Sequence, residues 1–93
     1  MTSESQVERA HRDRVEAEGG RLLKFVSPGL NGVPDRILLR PVLPVHQAIV
    51  AQYLRFVEFK APSKKPRPSQ VREHERLRAM GFVVDVIDRK EEK

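Results

Sequence analysis

The chain has 93 residues, which is enough for one compact domain and too few for two. It contains no cysteine, and this excludes disulfides, thiolate metal sites and cysteine nucleophiles. The net charge of +5 favours a polyanionic partner such as DNA, although many basic proteins are merely soluble. Because there is no long apolar run, no apolar N-terminal leader and no glycine-rich phosphate loop, we expect a cytoplasmic protein without a membrane span or a nucleotide cofactor.

The first element is a helix, predicted over residues 3–18. Ser5 and Glu8 have the spacing of a capping box at its start. Gly19 and Gly20 form a strong stop signal at its end. Because the apolar residues of this segment are sparse, one face of the helix is expected to be solvated or to face a site.

Four later segments have the composition and alternation of β-strands. They are residues 21–27, 35–40, 54–60 and 82–88. A loop of turn formers, PGLNGVP, separates the first two strands, and two prolines interrupt the chain after the second.

Two further helices are predicted between these strands. Residues 46–54 favour a short helix with Pro44 in its first turn. A longer helix is predicted from a Ser69 cap to about Met80, with Gly81 as its stop. This order predicts a single α/β domain over residues 1–93, with a mixed central β-sheet flanked by helices. Residues 89–93 form a charged tail.

The third strand carries the most informative pattern. Side chains two residues apart in a strand point the same way, so Glu58 and Lys60 share one face, roughly 6.5–7 Å apart along the strand. Val57 and Phe59 then point to the other face, which we expect to be the core. The strand therefore presents a carboxylate and an amine away from the core.

Asp35 begins the preceding strand. If the second and third strands are paired neighbours, Asp35 approaches Glu58. Two carboxylates about 4 Å apart repel by roughly 4 kcal/mol at an effective dielectric of 20, and either protonation of one carboxylate or a bound cation would relieve this repulsion. Oxygen ligands favour Mg²⁺ or Mn²⁺, and Lys60 could then orient or deprotonate a metal-bound water.

Each of these residues also has an ordinary structural interpretation. Asp35 could be a turn residue after a proline, and Glu58 and Lys60 could form a solvated strand face. Glu8 could only complete a cap, and Gln70 could be an ordinary first-turn residue. The conjunction is more specific, because the acid and the Glu-x-Lys pattern must fall in register on two strands.

The stretches GVPDR, VEFKAP, PSQ and LRAMGF together carry a family resemblance. The chain resembles the stand-alone, phage-type VRR-NUC domain, a branch of the PD-(D/E)XK nucleases, over almost its whole length. The resemblance implies a restriction-endonuclease-like fold in which Asp35 and Glu58 bind metal and Lys60 is catalytic. It also implies that Glu8 completes the metal shell and that Gln70 belongs to the active site. Residues 41–53 depart from the family pattern by replacing a shorter turn.

Several basic residues are candidates for contacts with the DNA backbone. They are Lys64, Lys65 and Arg67 in a proline-rich loop, with Arg36 and Arg72 as further candidates. Each phosphate contact adds about 0.9 to the salt dependence of binding to duplex DNA. The loop could equally be an ordinary solvated segment.

The three histidines have no metal-ligand spacing. We expect His11, His46 and His74 to be surface or helix residues, with His74 placed to pack at the edge of the core.

The resemblance implies a metal-dependent DNA endonuclease that acts as a homodimer on branched DNA such as Holliday junctions. It further implies a phage or prophage protein in a bacterial host. Two alternatives stay open: a non-catalytic basic module that binds nucleic acid, and a subunit that associates with a larger nuclease or helicase.

Overall fold

The computed structural model describes residues 1–89, which form three helices and four strands. In chain order these are α1 (Glu4–Ala17), β1 (Arg21–Lys24), β2 (Arg36–Leu39), α2 (Pro44–Tyr53), β3 (Phe56–Phe59), α3 (Pro68–Ala79) and β4 (Val84–Ile87). The α/β class and the order of the elements are confirmed. The predicted charged tail lies outside the described residues from residue 90 onward.

The chain divides into two compact units, Met1–Pro41 and Val42–Lys93. In the first unit, β1 and β2 pair antiparallel, with Arg21 opposite Leu39 at one end and Lys24 opposite Arg36 at the other. Helix α1 packs on β1. The single domain expected for the whole chain stays a prediction.

The core of the first unit lies where the end of α1 meets the hairpin. Val15 and Leu39 are both about 3% exposed. Gly20 is buried between them, and a Cβ added there would lie 2.5 Å from the Leu39 carbonyl oxygen and 2.8 Å from Val15 Cγ1. A side chain at this position would push the hairpin away from the helix, so the close approach requires glycine.

Helix α1 begins with a different cap from the one predicted. Ser3, not Ser5, is the N-cap: its Oγ accepts from the Gln6 backbone N–H at 3.2 Å, and its own N–H donates to Gln6 Oε1 at 2.9 Å. Ser3-x-x-Gln6 fits the capping box as well as Ser5-x-x-Glu8 does. The earlier cap leaves the Glu8 carboxylate available for other contacts.

In the second unit, β3 and β4 pair in parallel, with Phe56 opposite Val84 and Phe59 opposite Ile87. A parallel pair needs a crossover connection, and α3 supplies it. The core contains Leu77, Phe82 and Val84, and the rings of Phe56 and Phe82 meet edge to face at 5.7 Å. The four strands therefore form two small sheets, one antiparallel and one parallel.

Strand β2 pairs with β1, and β3 pairs with β4. A pairing of the second strand with the third stays a prediction, and it is not made through a hairpin. The physical reason lies in the segment 41–53. Most of this segment forms α2, so no short hairpin turn joins β2 to β3.

The faces of β3 alternate as predicted, but the buried face is the opposite one. Val57 and Phe59 are 46% and 73% exposed, whereas Phe56, Glu58 and Lys60 are half-buried. The placement of Val57 and Phe59 in the core is therefore wrong. Alternation cannot decide which face the crossover helix covers, and the buried side of α3 lies on the Glu58 face.

The ends of the other helices combine two confirmed predictions, Pro44 at the start of α2 and Gly81 after α3, with one correction. Helix α2 has Pro44 in its first turn, as predicted. Helix α3 begins at Pro68 after an Arg67 N-cap, so the Ser69 cap is wrong. Gly81 follows α3 with φ +96, and a Cβ there would lie 2.8 Å from the Val42 carbonyl oxygen.

None of the helices among residues 1–89 is both apolar and long enough to cross a membrane.

Candidate functional site

The predicted site residues are distributed over both units. Glu8, Asp35 and Arg36 belong to the first, and Glu58 and Lys60 to the second. Among residues 1–89, no three acidic, histidine or cysteine side chains form a group that could hold a metal ion. The convergence of Glu8, Asp35 and Glu58 stays a prediction, and each unit is described by itself below.

In the first unit, Arg36 contacts Glu8 and Asp35, the two proposed metal ligands that belong to this unit. Its Nε donates a hydrogen bond to Glu8 Oε1, across 28 positions of sequence. Its Nη1 donates to the Asp35 carbonyl oxygen at 2.7 Å and lies 4.0 Å from Asp35 Oδ1. The structure therefore brings Glu8 and Asp35 to the same guanidinium group. The sequence pattern suggested Arg36 only as a DNA contact, and no local signal indicated its pairing with Glu8.

A second arginine supports Glu8 from within α1. Arg12 Nη2 lies 3.4 Å from Glu8 Oε1 in an i,i+4 pair, and Arg12 Nη1 donates to the Leu22 carbonyl oxygen at 2.8 Å. The hydrogen bond from Arg36, aided by the charges of both guanidinium groups, holds the pKa of Glu8 below its usual value against the opposing effect of desolvation. The same pairing raises the pKa of Arg36. Glu8 is therefore a carboxylate anion at neutral pH.

A pocket of about 510 Å³ lies between the first half of α1 and the β1–β2 hairpin. Its lining residues are Glu4, Ser5, Val7, Glu8, His11, Leu22, Asp35, Arg36 and Leu38. The side chain of Asp35 is 75% exposed, so its carboxylate can be reached from solvent. The backbone of Asp35 is fixed, because its carbonyl oxygen accepts from the Phe25 N–H at 2.9 Å and thereby extends the hairpin ladder.

In the second unit, Glu58 lies beside a buried histidine. Glu58 Oε1 is 3.5 Å from His74 Nε2, and His74 is only 7% exposed. His74 lies on α3, as expected, but well inside the core. Both residues line a shallow pocket of about 220 Å³ between α3 and the β3–β4 sheet.

Lys60 and Gln70 are positioned by backbone hydrogen bonds. The Lys60 N–H donates to the Ile87 carbonyl oxygen at 2.9 Å, which extends the parallel ladder by one residue beyond β3. Alternation then puts Lys60 on the same face as Glu58, as predicted. Gln70 Oε1 accepts from the Arg67 N–H at 2.9 Å, so its carbonyl end forms part of the α3 cap.

The remaining basic candidates are exposed. They are Lys64, Lys65, Arg67 and Arg72, and none of their side chains makes an ion pair within residues 1–89. The loop before α3 contains a turn in which the Lys64 N–H donates to the Ala61 carbonyl oxygen at 3.0 Å, and Ser63 adopts φ 69. The ammonium and guanidinium groups of these four basic residues are available to an anionic partner, whereas the guanidinium group of Arg36 is paired with Glu8.

Comparison with known proteins gives the family. No family model matches the chain. It is 44% identical over 88 residues to "Putative nuclease p44" of Acyrthosiphon pisum secondary endosymbiont phage 1, covering 95% of this chain and 85% of that protein. It is also 36% identical to a solved "VRR_NUC domain", covering 95% of this chain and 86% of that one, with a TM-score of 0.39. The chain belongs to the phage-type VRR-NUC family. The 44% identity to the phage protein over nearly the whole of this chain confirms the resemblance.

Proposed function

We propose that this VRR-NUC domain is a metal-dependent DNA endonuclease whose chemistry depends on Asp35, Glu58 and Lys60. One observation carries the proposal: in a member of a nuclease family, Glu8 and Asp35 lie at one pocket around a shared positive charge. Two carboxylates that line one pocket offer oxygen ligands to a divalent cation, which must compete there with the arginine.

The donor set fits Mg²⁺ or Mn²⁺. Glu8, Asp35 and Glu58 offer only carboxylate oxygens, which these hard cations prefer, and no thiolate is present in the chain. When bound, the metal would polarise the phosphoryl group and lower the pKa of a water molecule. We infer that the three acids hold the ion and that the exposed Asp35 is the most accessible of them.

Lys60 supplies the amine of the proposed site. On the face of β3 that it shares with Glu58, it would orient the attacking water and stabilise negative charge that develops on the phosphate. Gln70 is included on the resemblance alone. Since its carbonyl oxygen is engaged in the α3 cap, its amide nitrogen is the group left to donate to a substrate oxygen.

DNA is the proposed substrate. The exposed side chains of Lys64, Lys65, Arg67 and Arg72 provide the positive charge that follows a phosphate backbone. Similarity to a phage protein supports a phage or prophage origin, and hence the cytoplasm of a bacterial host as the place of action.

We further propose a homodimer that acts on branched DNA such as Holliday junctions. Helix α2 contains no charged residue, although 33% of the chain is charged. Val45, Ile49 and Tyr53 form an exposed apolar stripe with i,i+4 spacing along it. A two-fold dimer formed through such a stripe would present two sites to a two-fold junction.

Cleavage assays test the proposed function. The wild type, Asp35→Asn and Lys60→Met are compared on a four-way junction, a flap and a linear duplex with Mg²⁺ or Mn²⁺. Asp13→Asn is the matched control, because it removes the same charge from an exposed position of α1. We expect cleavage by the wild type and the control, and a large loss in the other two. Equal cleavage of all three DNAs would remove the preference for junctions.

The exposed basic loop also favours a second candidate, a nucleic-acid-binding module without catalysis. If the wild type binds DNA but cuts none of the three substrates with either metal, the binding module is correct. Solution mass separates the homodimer from a subunit of a larger nuclease. A dimer that Ile49→Lys leaves intact would contradict the α2 interface.

A further inference from the structure

Arg36 lies where it neutralises two of the proposed metal ligands. Its Nε is hydrogen-bonded to Glu8, and its Nη1 is 4.0 Å from the carboxylate of Asp35. No other arginine or lysine among residues 1–89 forms ion pairs with both of these acids. The guanidinium group therefore acts as the local cation of this pocket.

This arrangement conflicts with a divalent ion at the same carboxylates. Glu8 Oε1 already accepts from Arg36 and lies 3.4 Å from Arg12, so a metal ligated by that oxygen must displace a donor. A positive guanidinium group beside the metal would also repel it. The metal and the Arg36 guanidinium group therefore compete for Glu8 Oε1.

Of the two arginines, Arg36 is the one placed to leave. Arg12 is fixed by a second bond to the Leu22 carbonyl oxygen, ten residues away on β1. The other bond of Arg36 goes to the carbonyl oxygen of its own neighbour, Asp35, which allows the side chain to swing without disturbing another element. Arg36 also lines the open pocket, so its guanidinium group can reach solvent.

We propose that Arg36 exchanges partners: it holds Glu8 before metal binds, and a divalent ion that takes Glu8 and Asp35 releases it to a DNA phosphate. This inference rests on the proposed function, because it takes Glu8 and Asp35 as metal ligands. The exchange adds a coupling between the binding of metal and the binding of DNA. By linkage, metal tightens DNA binding through Arg36 by the same factor as DNA tightens metal binding.

Binding of Mn²⁺ alone, measured by calorimetry without DNA, tests the first half of the exchange. Arg36→Gln removes the competing cation, so we expect it to bind Mn²⁺ about 5- to 150-fold more tightly than the wild type, the usual range of such couplings. Arg36→Lys keeps the charge but not the Nε donor, and we expect an intermediate affinity. Arg40→Gln is the matched control, since Arg40 forms a comparable pair with Glu18 at 3.4 Å in the same unit.

The second half is tested by DNA affinity in a Lys60→Met background, which we expect to block cleavage. Mn²⁺ should increase the affinity for DNA when Arg36 is present and increase it less with Arg36→Gln. Without metal, the two proteins should bind DNA equally, because Arg36 is then occupied by Glu8.

The contrary outcomes are distinct. If Arg36→Gln is folded at the assay temperature and binds Mn²⁺ no more tightly than the wild type, Arg36 merely supports the ligands. If Arg40→Gln tightens Mn²⁺ binding equally, the effect is one of net charge. If the wild type cuts DNA with Mn²⁺ and either of these variant results is obtained, the exchange is refuted and the proposed function is not. A wild type that neither binds Mn²⁺ nor cuts DNA refutes the proposed function as well.

Discussion

Arg36 on β2 donates a hydrogen bond to Glu8 on α1, and the pair joins the two elements that border the candidate pocket of the first unit. The family resemblance implies a place in the metal shell for Glu8, whereas its positive charge makes Arg36 a candidate DNA contact. The structure connects them, so their behaviour can be tested together.

The Glu8–Arg36 pair predicts a dependence of stability on pH. Because Arg36 lowers the pKa of Glu8 in the folded state, the pair stabilises the fold at pH values above the unfolded pKa of glutamate, about 4.3. That stabilisation is lost as the pH falls through the lowered folded value. We expect the thermal midpoint of the wild type to decline more steeply below about pH 4 than that of Arg36→Gln. Parallel curves would show that the pair contributes nothing measurable to stability.

The cap of α1 gives a test with a matched pair of serines. Ser3→Ala removes the acceptor for the Gln6 N–H and should cost about 1 kcal/mol of unfolding free energy. Ser5 is the second residue of the helix and caps nothing, so Ser5→Ala should lower the unfolding free energy by less than about 0.5 kcal/mol. Urea unfolding of both variants measures the difference. The reverse order would restore the Ser5–Glu8 capping box.

The reversed faces of the parallel sheet give a third prediction. Leu77 is buried on the face of α3 that packs on the sheet, so Leu77→Ala should destabilise the fold by about 2–5 kcal/mol. Phe59 is 73% exposed, and Phe59→Ser should change stability by less than about 1 kcal/mol at concentrations where the protein is monomeric. Comparable losses in the two variants would mean that the Phe59 face is covered.

The basic loop before α3 predicts the salt dependence of DNA binding. If Lys64 and Lys65 each contact one phosphate, replacing both by glutamine lowers the slope of log affinity against log salt by about 1.8. Lys24 is an exposed lysine on β1, and Lys24→Gln is the charge control, which should leave the slope nearly unchanged. Equal slopes in the wild type and the double variant would place the DNA elsewhere.

Short-range patterns in the sequence are sufficient to predict the secondary-structure elements and the family. Glycines mark the ends of α1 and α3, Pro44 marks the start of α2, and alternation puts Glu58 and Lys60 on one face of β3. These features depend on a few neighbouring residues, so they can be read directly from the chain. The motifs that carry the family resemblance are likewise contiguous.

Tertiary structure alone decided which partners these elements take. The alternation in β3 is the same whichever face is buried, and only the packing of α3 places the half-buried Glu58 beside His74 and leaves Phe59 exposed. Glu8 and Arg36 are 28 positions apart, so no local pattern could show that they pair. Secondary structure follows from short-range preferences, whereas the surroundings of a charged side chain follow from contacts that form only when distant segments meet.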